Sequence, residues 1–257
     1  MEYLHCLFYL CPLVFLAGFI DSSAGGGGVI SVPAYMLTGM PAHLVFGTNK
    51  LSMSIGTAIA SGRFLKNKAV DIRAALITGV VALLGAALGA QLALLLSDRT
   101  FRVILIIALP CVAVFQALQR NKADERGGHE SIPAGKRAAL ASLIGFFIGL
   151  YDGAIGPGTG TLAIIAFNAL MRYDLKTASG NAKILNLCSN IAALVTFALA
   201  GNVLFIIGLP AAAFSVAGNY LGAGFAIKKG AKFIRPMLFI VLGLLLIKVI
   251  YDLYQMA

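Results

Sequence analysis

Apolar runs long enough to cross a bilayer, which takes about 20 residues, follow one another along almost the whole of this 257-residue chain. They fall at roughly 44–65, 72–96, 101–119, 177–199, 203–227 and 234–251. Two further stretches, 4–38 and 138–171, are longer, and each is interrupted near its middle. Lipid offers no partner to a backbone N–H or C=O, so such runs are expected to be transmembrane helices. Composition agrees: 60% of residues are hydrophobic and 12% charged, against about 25% charged in a soluble globular domain. A soluble enzyme and a nucleic-acid binder are thereby set aside. The net charge of +10 would otherwise suggest nucleic acid, but in a chain this apolar a basic surplus marks loops held on the cytoplasmic side of a membrane. The chain reads as one membrane domain over 1–257, with lipid around it and no nucleic-acid partner.

Leu4–Ile20 is apolar, yet Met1–Tyr9 contains Glu2 and no Lys or Arg. It lacks the basic start of a secretory signal and reads as the first membrane element. Cys6, Cys11, Cys111 and Cys188 stand singly in apolar runs, and His5, His43 and His129 are isolated. Their spacing fits no metal site, and nothing calls for a cofactor.

The two interruptions read Asp21-Ser22-Ser23-Ala24-Gly25-Gly26-Gly27-Gly28 and Tyr151-Asp152-Gly153-Ala154-Ile155-Gly156-Pro157-Gly158-Thr159-Gly160. Each Gly costs a helix about 1 kcal/mol and Pro about 3 relative to Ala, so both stretches are expected to be pairs of shorter helices joined by irregular backbone. They also correspond. At an offset of 131, Asp21 pairs with Asp152 and Gly25 with Gly156; at 133, Gly47-Thr48-Asn49-Lys50 pairs with Gly180-Asn181-Ala182-Lys183, and Gly85 and Gly89 pair with Gly218 and Gly222. This is a tandem duplication: repeat one covers about 4–119, a polar seam 120–137, and repeat two about 138–254. Corresponding broken helices are the best sequence pointer to a transporter site.

Charge placement orients the repeats. If each broken stretch crosses the membrane once, interfacial Lys and Arg divide nearly evenly between the two sides. If each is instead a hairpin returning to its own side, all of them face the cytoplasm except Arg99, Arg102 and Lys248. The positive-inside bias selects the hairpins. Each repeat is then a glycine-broken hairpin plus three transmembrane helices, an all-α polytopic fold with inverted repeats and both termini outside.

Four charges lie at membrane depth: Asp21, Lys50, Asp152 and Lys183. Ionisable groups there are expensive and mark function by default. One reading makes them two structural pairs, Asp21–Lys50 and Asp152–Lys183; the other places them around a central anion cavity, and the two are compatible. Helix N-termini at the breaks would present free N–H groups and partial positive charge, with half-helices starting near Val29 and Thr161. Glycine backbone at Gly26, Gly27 and Gly158 allows close approach of an oxyanion, and Ser22, Ser23, Thr159 and Thr161 add hydroxyls. Asn49, Ser52, Asn181, Asn186 and Asn190 add further donors, with Asn186 and Asn190 one turn apart on the Lys183 face. The candidate substrate-binding set is thus Asp21, Ser22, Gly26, Gly27, Asn49, Lys50, Asp152, Gly158, Thr159, Asn181, Lys183, Asn186 and Asn190. The Gly85/Gly89 and Gly218/Gly222 pairs read as close helix-packing faces.

These motifs, Gly18 through Gly28, Gly47-Thr48-Asn49-Lys50-Leu51, Gly153 through Gly160 and Gly180 through Asn186, resemble the TauE/SafE family of prokaryotic membrane proteins over nearly the whole chain. The resemblance implies a two-repeat permease of the bacterial cytoplasmic membrane with seven to eight helices. It also implies a small anionic substrate: sulfite, a sulfonate, sulfoacetate or a related organic anion. The expected function is secondary transport by alternating access around the Asp/Lys/Gly-break site, not enzymatic catalysis. An anion channel is the alternative; an intramembrane aspartyl protease using Asp21 and Asp152 is a distant one, since duplication already explains two aspartates. The sequence leaves a homodimer open.

Overall fold

The computed structural model describes residues 4–97 and 128–230, together with Thr100, Val103, Phe233 and Pro236. Apart from Val103 and Pro236, the expected spans 101–119 and 234–251 lie outside the described residues, as do the seam residues 120–127 and Arg99, Arg102 and Lys248. Among those described there are eight α-helices and no strand: α1 (Leu7–Ala24), α2 (Gly28–Met36), α3 (Ala42–Lys66), α4 (Ile72–Leu95), α5 (Ala134–Ala154), α6 (Thr159–Met171), α7 (Leu175–Leu199) and α8 (Phe205–Lys229). Five of them, α1, α4, α5, α7 and α8, are long and apolar enough to cross a membrane.

Local chemistry sets the boundaries. Asp71 caps α4 by accepting from the Ala74 N–H at 3.1 Å, and Asp174 caps α7 by accepting from Lys176 and Thr177, each at 3.0 Å. Pro41 and Pro133 precede α3 and α5, where a missing N–H costs nothing. The two expected breaks are present, at 25–27 and 155–158. The half-helices start at Gly28 and Thr159, one and two residues earlier than expected.

Contacts at the helix ends fix which ends lie together. On one face, the Tyr9 hydroxyl donates to the Leu37 carbonyl at 3.1 Å, His43 Nε2 meets the Leu96 carbonyl at 3.1 Å, and the Leu204 N–H donates to Thr48 Oγ1 at 3.0 Å. On the other, the Tyr173 hydroxyl donates to Asp71 at 2.6 Å, and Arg172 donates to Ser131 at 3.3 Å. The chain from Tyr9 to Leu37 therefore enters and leaves at the first face, and the chain from Ser131 to Arg172 enters and leaves at the second. Meanwhile α3 runs from first face to second, and α7 from second to first. Every described Lys and Arg except Lys50 and Lys183 lies toward the second face.

The packing is inside-out relative to a soluble bundle. On α4, Leu76, Val80, Leu84, Leu88 and Leu92 are exposed along one ridge, while Ala82, Gly85, Ala86, Gly89 and Ala90 face inward. Lipid is as apolar as leucine, so helices associate through small residues that let backbones approach. A Cβ at Gly85 or Gly89 would strike the Phe146 and Leu150 carbonyls of α5, and one at Gly218 or Gly222 the Phe15 and Phe19 carbonyls of α1. The glycine pairs expected to be packing faces are packing faces.

Candidate functional site

The tips of the two glycine-broken stretches meet in the middle of the molecule. Gly25 packs against Gly160 and Thr161, Gly28 against Pro157, and the Thr161 hydroxyl donates to the Ala24 carbonyl at 3.2 Å. Gly25, Gly26, Gly156 and Gly158 all adopt positive φ, between 73° and 88°, which L side chains rarely take. At these tips α2 and α6 begin, and their N-terminal ends point into the centre.

All four deep charges are here, and all are buried. Their pairing differs from the expected one. Lys50 Nζ lies 2.8 Å from Asp152 Oδ2, and Lys183 Nζ lies 2.6 Å from Asp21 Oδ2. The partners are exchanged relative to Asp21–Lys50 and Asp152–Lys183, and depth explains why. At 1.5 Å per residue, Asp21 lies about 21 Å along α1 from the first face, whereas Lys50 is only about 12 Å along α3 from that same face. Lys183, about 12 Å along an oppositely directed helix about 37 Å long, is about 25 Å from the first face and so level with Asp21. The same arithmetic sets Asp152 level with Lys50.

The surroundings of the two pairs are unequal. Asp152 also accepts from the Ser189 hydroxyl at 2.6 Å, Lys50 donates to Asn190 Oδ1 at 2.8 Å, and Asn190 in turn donates to Asn186. Asp21 accepts from the Gly27 N–H at 3.3 Å, while Lys183 is fully buried. A cavity of about 30 Å³ lies between the tips, lined by Asp21, Gly26, Asn49, Lys50, Asp152, Gly158, Thr159, Asn186 and Asn190 from the expected set. Gly28, Gly156, Gly160, Val32, Phe46 and Met53 complete the lining and were not anticipated. Phe46 and Met53 carry no polar signal, but they flank Asn49 and Lys50 at helical spacing on α3, and that spacing would have found them. Asn49 Oδ1 is buried and has no hydrogen-bond partner among the described residues. The volume is room for a few water molecules at most.

Four residues of the expected set do not line the cavity. Ser22 donates back to the Gly18 carbonyl at 2.9 Å and packs against Gly222. Gly27 is occupied with Asp21. Lys183 lies behind Asp21 rather than at the cavity wall. Asn181 sits toward the second face, where its side-chain oxygen accepts from the Asp71 N–H at 3.0 Å. Burial raises the Asp71 carboxyl's pKa, but the Tyr173 hydroxyl, the Ala74 N–H and the Arg137 charge outweigh it and hold the group below its usual value. Asp21 and Asp152 each face a lysine instead of each other, which is not the shared-proton arrangement of an aspartyl protease.

Membrane-length helices packed through glycine around buried ion pairs define a polytopic α-helical membrane protein. More specifically, the chain belongs to the TauE/SafE family: the profile described as "Sulfite exporter TauE/SafE" matches residues 10–249. A probable membrane transporter protein of Haemophilus influenzae is 34% identical over 238 residues, covering 93% of this chain and 92% of its own. One from a Sinorhizobium species is 35% identical over 248 residues (96% and 94%), and one from Escherichia coli 32% identical over 262 (98% and 95%). No solved structure matches. The family is one of membrane transport proteins rather than enzymes, as the motifs implied.

Proposed function

We propose that this protein is a secondary transporter of small anions such as sulfite or sulfonates, working by alternating access in the bacterial cytoplasmic membrane. The observation that carries this reading is the cavity between the broken helices, where the Lys50 ammonium, the Asn186 and Asn190 amides and the helix starts at Gly28 and Thr159 converge. In this arrangement Lys50 is neutralised by Asp152. Substrate would bind by drawing Lys50 away from Asp152 as the two tips separate. Lys183 and Asp21 would stay paired and act as the joint on which the halves move.

The test is a counterflow screen of sulfite, thiosulfate, sulfoacetate and taurine on purified protein in proteoliposomes. Saturable flux with counterflow for at least one of them is expected; flux that neither saturates nor shows counterflow would make the protein a channel.

The same reading includes two inverted repeats, about 4–119 and 138–254, separated by the seam at 120–137. In its support, Ala42–Lys66 and Leu175–Leu199 have equal length and run in opposite directions, and Ile72–Leu95 and Phe205–Lys229, 24 and 25 residues long, also run in opposite directions. Thr48 and Asn181, corresponding positions, each accept a hydrogen bond from the backbone just before α8 and α4. With the basic second face in the cytoplasm, reporters inserted after Asn67 are expected to read cytoplasmic and after Gly201 external. The reverse result would overturn the orientation.

A further inference from the structure

A second concave site lies away from the centre, at the basic end of the molecule. Arg63 of α3 reaches across to α8, where its guanidinium stacks 4.0 Å from the Tyr220 ring centroid and donates to the Tyr220 carbonyl. It fits there because position 224 is glycine: a Cβ would lie 2.8 Å from both terminal guanidinium nitrogens. That single hydrogen bond leaves most of the five guanidinium donors available. Lys228 lies one turn beyond Gly224 on the same face, and the pocket formed by Arg63, Tyr220, Leu221, Gly224, Phe225 and Lys228 has a volume of about 310 Å³. Among the described residues no carboxylate pairs with Arg63 or Lys228. The apolar walls continue outward, with Tyr220, Leu221 and Phe225 each between 41% and 51% exposed on a lipid-facing helix.

We propose that this pocket holds the headgroup of an anionic phospholipid. The cations and walls are arranged for an amphiphile: a planar guanidinium held by Tyr220 and suited to bidentate phosphate contact, an exposed ammonium beside it, and apolar side chains leading toward the bilayer interior for the acyl chains. Basic pockets between transmembrane helices at the cytoplasmic surface bind phosphate headgroups in this way. A soluble anion would use the two cations but would have no use for the exposed aromatic and leucine walls.

The test is native mass spectrometry of the detergent-purified protein titrated with phosphatidylglycerol or with phosphatidylcholine. A retained phosphatidylglycerol adduct is expected, with little retention of phosphatidylcholine, and the adduct should weaken at least tenfold in Arg63→Gln and in Lys228→Gln. Lys228 is an exposed side chain, so K228Q reports on binding even where R63Q perturbs the α3–α8 contact. Equal retention of both lipids, or an adduct unaffected by either variant, would overturn the proposal. Displacement of the adduct by inorganic phosphate alone would reassign the pocket to a soluble anion.

Discussion

Lys50→Ala is expected to abolish counterflow and to lower stability by about 3–5 kcal/mol, the usual cost of leaving one member of a buried ion pair without its partner. Among the described residues, Asp152 would keep the Ser189 hydroxyl as its side-chain donor at the centre of the molecule. The double variant Lys50→Ala/Asp152→Ala removes both charges and is expected to recover most of the thermal stability in detergent while remaining inactive. That split separates a substrate contact from a structural pair. At the other pair, Lys183→Met/Asp21→Asn leaves Lys50 in place and alters the cavity wall only at Asp21, so turnover is expected to fall more than the KM for substrate rises. Active K50A, or a K183M/D21N protein whose defect lies wholly in KM, would show that the roles of the two lysines are assigned the wrong way round.

Gly25→Ala is expected to be the most damaging single-methyl change in the protein, costing above about 4 kcal/mol, a range reached only where backbone strain and a hard clash coincide. The residue sits at φ +73°, and its Cβ would fall inside contact with the Gly160 carbonyl carbon and the Thr161 nitrogen. Neither backbone can yield without parting the two tips. Loss of a monodisperse peak on size exclusion is the readout. Gly62→Ala is the control: a Cβ there meets nothing within 4 Å on an exposed turn of α3, so a gain of about 0.5–1 kcal/mol is expected from helix propensity alone.

Helix positions were legible in the sequence because apolar run length speaks directly about local structure; the capping residues Asp71 and Asp174, which set the starts of α4 and α7, were not used. The breaks were legible because four consecutive glycines cannot be helix interior. The pairing of charges was not read correctly, although the information was present: matching Asp21 to Lys50 within one half ignored their depths, and counting residues from the helix starts separates them. Ser22 and Asn181 misled for a different reason. A hydroxyl in a helix can satisfy itself on the preceding turn, and an amide can cap a neighbouring segment; polarity alone does not say which way a side chain is spent. Val32 had no signal of its own, since an apolar residue at a cavity wall looks like one in a core, whereas Phe46 and Met53 were findable only through their helical spacing from Asn49 and Lys50.

The exchanged ion pairs bear on how the protein is made. Lys183 and Asp21 are 162 residues apart, so at roughly 5–20 residues per second a ribosome takes about 8–30 s to deliver the lysine after the aspartate. Through that interval the emerging first half holds Asp21 and Lys50 in or near the bilayer, at depths about 9 Å apart and without the partners they have in the finished fold. Insertion of the early helices therefore has to proceed with two charges unsatisfied. A chain interrupted before α5 carries that liability permanently, which makes the unfinished product, and not only the misfolded one, a natural target of membrane proteolysis.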